Sequence, residues 1–165
     1  MRIAESYYRR LLFETDPSQA VGHLANLWST RAVEGDPFLG LNRVEFNVHL
    51  ALWYFAEVGN GGHFQYFFNP IGRFALQTRD ALKATGLQAA AEVLAQAIAV
   101  WPGEIPLDAL LRQSQIESLP QASLQLWHRL DRDLQLMSDY CDQLLMYLRD
   151  NSSEVLAPER SPSQQ

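Results

Sequence analysis

Glu57, Asn60, His63, Gln65, Tyr66 and Asn69 place a carboxylate, three amides, an imidazole and a phenol within one short stretch, Glu57-Val-Gly-Asn-Gly-Gly-His-Phe-Gln-Tyr-Phe-Phe-Asn69. Converged on one point, Glu57, Asn60, His63, Gln65 and Tyr66 would line a small pocket, suited to a polar small molecule or to hydrolysis. The competing reading is a polar staple that fixes the angle between two helices. Glu57 closes an apolar helix, where a carboxylate meets the negative end of the macrodipole at a cost of a few tenths to ~1 kcal/mol. Backbone N–H groups of a following short helix, starting near Gly62, are the expected donors that offset this, since helix N-termini attract anions. Gln65 and Asn60 are candidate side-chain donors. Asn60-Gly61 suits a left-handed turn, because both residue types tolerate positive φ. Asn69 precedes Pro70 and is expected to cap the next helix.

Other chemistries find no support. Gly-Asn-Gly-Gly follows no strand and precedes no Gly-Lys-Ser/Thr, so it is not a phosphate loop. The histidines at 23, 49, 63 and 128 lack metal-ligand spacing. Glu45 and His49 lie one turn apart, a pairing expected as an exposed helix contact. No Gly-x-Ser-x-Gly elbow exists. Cys141 falls on an apolar seam, where a thiol is inert packing. The expectation is no metal and no cofactor.

The elements that must position these residues are helical throughout. Residues 3–14 form a first helix, and Asp16-Pro17 opens a second to about Arg31. Residues 32–41 read as loop. Asn42 and Glu45 form a capping pair that opens a helix over 43–58, apolar nearly all round and so suited to the centre of a bundle. Asn69-Pro70 starts another helix and Gly86 stops it. Residues 87–101 are helical, ended by Pro102-Gly103. A connector over 102–121 holds a short helix near 107–115. The last helix is expected to run unbroken from about 121 to 150. Its Trp127, Leu130, Leu134, Met137, Cys141, Leu144 and Leu148 recur every three and four residues. This seam packs within the chain's own bundle or pairs across a homodimer interface. The fold class is all-α: a single domain over 1–150, a helical bundle with a central apolar helix and a long C-terminal helix, followed by a disordered tail over 151–165.

The chain has 165 residues, 47% apolar, enough to bury ~70% of its unfolded surface without staples. One cysteine excludes an internal disulfide. The longest apolar run, Leu50 to Ala56, is far short of the ~20 residues of a membrane span. With no signal-peptide run near the N-terminus, the expected location is cytoplasmic. The net charge is −6, and most of the excess acid lies after residue 100. That argues against direct nucleic-acid binding and permits a basic partner. Asp131, Asp139 and Asp142 lie off the seam, towards the outer face of the last helix, and are the candidate partner-binding residues.

The stretch Glu57–Asn69 resembles the signature of a bacterial family of unknown function whose best-known member is an acidic DNA-mimic protein. That family reads Glu-Val-x-Asn-Gly-Gly, then an aromatic-rich stretch with Gln and a closing Asn. Glu57, Asn60, Gly61, Gly62, Gln65 and Asn69 match it position by position. Leu130-Asp131, the helix after them and Tyr147 are similar to the family's C-terminal segment. The resemblance covers about residues 42–150. His63 departs from it, standing where an aromatic or aliphatic residue is more usual. The resemblance implies an all-helical domain without established enzymatic activity and, for the mimic, a dimer whose acidic surface copies DNA phosphates. Here 13 basic residues stand against 19 acidic, thin for a mimic. The expected function is a non-enzymatic interaction module that engages a basic regulatory or DNA-binding protein. The alternative is a small-molecule-binding or hydrolytic protein using the pocket at the glycine turn.

Overall fold

The computed structural model describes residues 5–29, 38 and 40–156, and every regular element among them is helical. The elements are α1 (Glu5–Glu14), α2 (Pro17–Ser29), α3 (Arg43–Phe68), a 3-10 turn (Pro70–Phe74), α4 (Ala75–Ala84), α5 (Gln88–Ile98), α6 (Ala109–Glu117), α7 (Gln121–Gln135), α8 (Tyr140–Asp150) and the single turn α9 (Ser152–Val155). The all-α expectation holds. Most of the loop expected over 32–41 lies outside the described residues. No helix among the described residues is long and apolar enough to cross a membrane.

Local chemistry explains where the helices begin and end. Asp16 Oδ1 accepts the N–H groups of Ser18 and Gln19 at 3.0 and 3.3 Å, capping α2. Together with the Ser18 hydroxyl, these donors hold the Asp16 carboxyl below its ordinary range. Asn42 Oδ1 accepts from Val44 and Glu45 N–H, while Glu45 returns a carboxylate to Asn42 N–H at 3.1 Å. This is the reciprocal box expected from the sequence. Gly86, at φ +83°, ends α4: Leu87 N–H reaches Leu82 O and Gly86 N–H reaches Lys83 O.

The chain divides into two compact units. The first comprises Met1–Phe46 and Cys141–Gln165, with Leu11, Leu12, Val21, Leu24, Trp28, Leu144 and Leu148 buried. Arg149 Nε donates to Leu12 O at 2.6 Å, tying α8 to α1. Arg43 pairs with Glu154 at 2.6 Å. Residues 152–155 are therefore helical, with Val155 buried. The expectation of disorder from residue 151 is corrected there, and residues 157–165 lie outside the described residues. The second unit, Asn47–Tyr140, is built on an aromatic core. Phe67 stacks on Trp127 at 5.0 Å and meets Trp101 edge-on at 5.4 Å. The Trp127 indole N–H donates to Ala97 O at 3.1 Å.

The long C-terminal helix is not continuous. α7 ends at Gln135, residues 136–139 are non-helical, and α8 starts at Tyr140. Ser138-Asp139 are residue types that favour helix starts over helix interiors. Trp127, Leu130 and Leu134 are buried in α7 and Leu144 and Leu148 in α8; Met137 and Cys141, at the break, are only half-buried.

Candidate functional site

α3 changes direction at its glycines. Gly61 (φ −155°, ψ 21°) and Gly62 (φ 73°, ψ −173°) leave the helical region. The left-handed position is thus Gly62 rather than Asn60-Gly61, and no described non-glycine residue has positive φ. The Gly62 conformation is open essentially to glycine alone. A Cβ on Gly62 would also lie 2.3 Å from Asp131 Oδ2, so the chain needs glycine there twice over. On Gly61 a Cβ would meet Gln65 Oε1 at 2.3 Å.

The turn brings Glu57 against two side-chain amides. Gln65 Nε2 and Asn69 Nδ2 both donate to Glu57 Oε2, at 2.7 and 2.8 Å. The expected backbone donors are replaced by these side chains, because the kink carries Gln65 and Asn69 back past the end of the preceding helical segment. Asn69 makes no side-chain cap; its amide faces Glu57 instead. Asn60 is exposed and does not join the network.

On the other side of the kink a second network forms. His63 is fully buried. Its N–H and Nδ1 both meet Asp131 Oδ1, at 2.8 and 2.5 Å, and its Nε2 lies 2.8 Å from the Tyr54 hydroxyl. A carboxylate only accepts, so Nδ1–H is directed to Asp131, and Nε2 pairs with the Tyr54 hydroxyl. Burial pushes the Tyr54 hydroxyl well above its ordinary range and keeps that proton in place. Asp131 therefore does not belong to a solvated outer face: its side chain is 14% exposed and turned toward α3. Position 131 is one helical turn after the buried Trp127, which places it at the inner edge of α7.

The aromatic stretch is secured the same way. The Tyr66 hydroxyl donates to Thr78 Oγ1 at 2.9 Å. Arg112 is fully buried without a carboxylate partner. Its guanidinium donates to Phe67 O (2.6 Å), Asn69 O (3.0 Å) and Pro106 O (2.9 Å), and Gln113 Nε2 donates to Phe68 O (3.1 Å). The carbonyls orphaned at the end of α3 are thus satisfied by α6. Of the residues expected to line one pocket, Glu57 and Gln65 meet in one network, which Asn69 joins, and His63 lies in another; Tyr66 is buried and Asn60 is exposed. Tyr54, Thr78, Arg112 and the inward Asp131 were not foreseen.

What opens to solvent here is small. Phe64, Leu124, Trp127, His128 and Asp131 line a notch of about 80 Å³. Asp139 and Asp142 are exposed; Asp139 lies in the non-helical segment after α7 and Asp142 in α8, so neither is on the helix that carries Asp131. Glu45 and His49 are both buried rather than exposed. Glu45 closes the cap of α3, and His49 Nε2 accepts the Trp53 indole N–H at 2.8 Å.

Residues 40–151 match the family described as DMP19-like protein. The chain belongs to that family. The match runs from just before the Asn42 cap to Asn151 after α8, and so takes in both networks. No curated protein and no solved structure matches the chain.

Proposed function

We propose that this member of the DMP19-like family is a non-enzymatic interaction module whose partner is a basic, DNA-binding or regulatory protein. One observation carries the reading of the partner. Between residues 102 and 118 every exposed charge is acidic (Glu104, Asp108 and Glu117), and the segment's only basic side chain, Arg112, is buried. Leu107, Leu110 and Leu111 project from the same segment, 74, 76 and 53% exposed. Within α6, positions 110, 111, 114 and 117 recur at helical spacing, so Leu110, Leu111 and Glu117 share one face, and Leu107 precedes the helix beside its Asp108 cap. Apolar groups ringed by charge of one sign mark interaction surfaces, and here the complement is a basic surface with an apolar centre. DNA mimicry is the form such binding takes if the partner's DNA-contacting face is what the acids engage. Asp139 and Asp142, both exposed, are further candidate acids.

The pocket alternative has less support. Glu57 and Gln65 bond one another, His63 and Tyr66 are buried against other partners, and the small notch holds none of Glu57, Gln65 or Tyr66.

The test is capture from the source organism's lysate with the intact chain and with a Leu107→Ser, Leu110→Ser, Leu111→Ser variant. The expected result is a basic DNA-binding protein retained by the wild type, released by salt and by duplex DNA, and lost with the variant. A captured set that the substitutions and duplex DNA leave unchanged contradicts the proposal.

A further inference from the structure

We infer that the notch beside Asp131 receives a single cationic side chain, lysine or arginine. The inference deepens the partner reading above and rests on it. Four observations converge. First, the carboxylate is held in place. His63 is buried and meets Asp131 through both its backbone N–H and its Nδ1, which fixes the carboxylate at the wall of the notch. Second, one oxygen is left over. Both bonds from His63 fall on Oδ1, whereas Oδ2 has only His128 Nδ1 at 3.7 Å, beyond hydrogen-bond distance. Gly62 packs against Oδ2 without a side chain; a Cβ there would sit 2.3 Å from it. Third, the walls suit a cation. Phe64 and Trp127 supply aromatic surface and Leu124 an aliphatic one. Aromatic faces attract ammonium and guanidinium groups, more strongly where water is excluded. Fourth, the size selects. About 80 Å³ admits a cationic head group with its last methylenes, and is too small for a nucleobase with its sugar.

The position makes the contact matter. With Asp131 only 14% exposed, a cation reaching Oδ2 completes a largely desolvated pair, whose loss is felt in the dissociation rate more than that of a rim charge. His128, which lines the notch, is 71% exposed and approaches Asp131 Oδ2 only to 3.7 Å.

Nuclear magnetic resonance titration of the full chain tests the inference. The probes are N-acetyl-lysine methylamide and N-acetyl-arginine methylamide, with N-acetyl-glutamine methylamide as the neutral control. The Trp127 indole N–H and the Phe64 ring signals are expected to shift saturably with the two cations and not with the neutral amide. His128→Lys, at an exposed position, places a tethered ammonium at the mouth and is expected to weaken the cation response about tenfold. Equal shifts with the neutral amide, or a response undiminished in His128→Lys, overturn the inference. An oligo-arginine peptide separates the two readings. If wild type and His128→Lys bind it equally, the notch is refuted while the acidic face stands. If neither binds it but the amino-acid response remains, the notch stands as a cation site and the basic-partner reading falls.

Discussion

Replacing Gly62 by alanine tests how the α3 kink is held. Its φ of 73° and ψ of −173° lie in a region essentially closed to L residues, at a cost of about 1–3 kcal/mol. The new Cβ would also stand 2.3 Å from Asp131 Oδ2 and 2.9 Å from its Cγ. Asp131 would have to withdraw, weakening two bonds from His63 that each contribute about 1.5–3 kcal/mol, being made to a charged group. Since backbone and carboxylate share the relaxation, the total loss should be about 3–5 kcal/mol rather than the full sum. Gly59 supplies the control. It is helical, and a Cβ there meets nothing within 4 Å. Gly59→Ala should therefore stabilise, by about 0.5–1 kcal/mol. Urea unfolding followed by tryptophan fluorescence measures both. Asp131→Ala should shrink the Gly62→Ala penalty, because it removes the colliding carboxylate. A Gly62→Ala variant within about 0.5 kcal/mol of wild type, or a penalty unaltered by Asp131→Ala, would refute the reasoning.

Other outcomes follow from the same geometry. Glu57→Ala strands the half-buried amides of Gln65 and Asn69 and should cost about 1–3 kcal/mol by the same urea assay. Arg112→Met leaves carbonyls at the end of α3 without donors and should cost about 3 kcal/mol or more; a change near zero would show that these carbonyls reach other partners. Burial raises the hydroxyl pKa values of Tyr54 and Tyr66, so both stay protonated when folded at a pH where the unfolded chain ionises. Their contribution is fully present below the ordinary value of 10.0 and is lost as pH rises above it. Thermal unfolding scanned across that window should show the midpoint falling, and less steeply in Tyr66→Phe.

Much of the fold was legible because local signals and tertiary demands agree. The Asn42–Glu45 box, the Asp16 cap and the Gly86 stop each satisfy backbone groups from within a few residues, and so are written in adjacent letters. The apolar girth of α3 likewise marked it for burial. The break after Gln135 was hidden by a heptad seam that runs on through it, although Ser138-Asp139 argued for a new helix start. The glycine stretch was recognisable as a turn with Glu57 near its polar centre, but its partners were less so. Gln65 and Asn69 reach Glu57 only because Gly62 redirects the chain, and that direction is set by Asp131, 69 residues further on. Arg112 donates to carbonyls 43 and 45 residues away, a contact that no local pattern encodes. His63 stood out as a polar residue among aromatics; its burial between Tyr54 and Asp131 depended on how α7 packs.

The central claim is that the Glu57–Asn69 stretch serves the fold while the acidic, leucine-bearing face serves the partner. The most direct measurement is the affinity of the captured basic protein between about 50 and about 200 mM salt, for wild type and for folded Glu57→Gln. Affinity is expected to fall steeply with salt and to be competed by duplex DNA, with the same curve for both chains. Binding that ignores salt and DNA but disappears in a folded Glu57→Gln would contradict it, and would return the function to a pocket at the glycine turn.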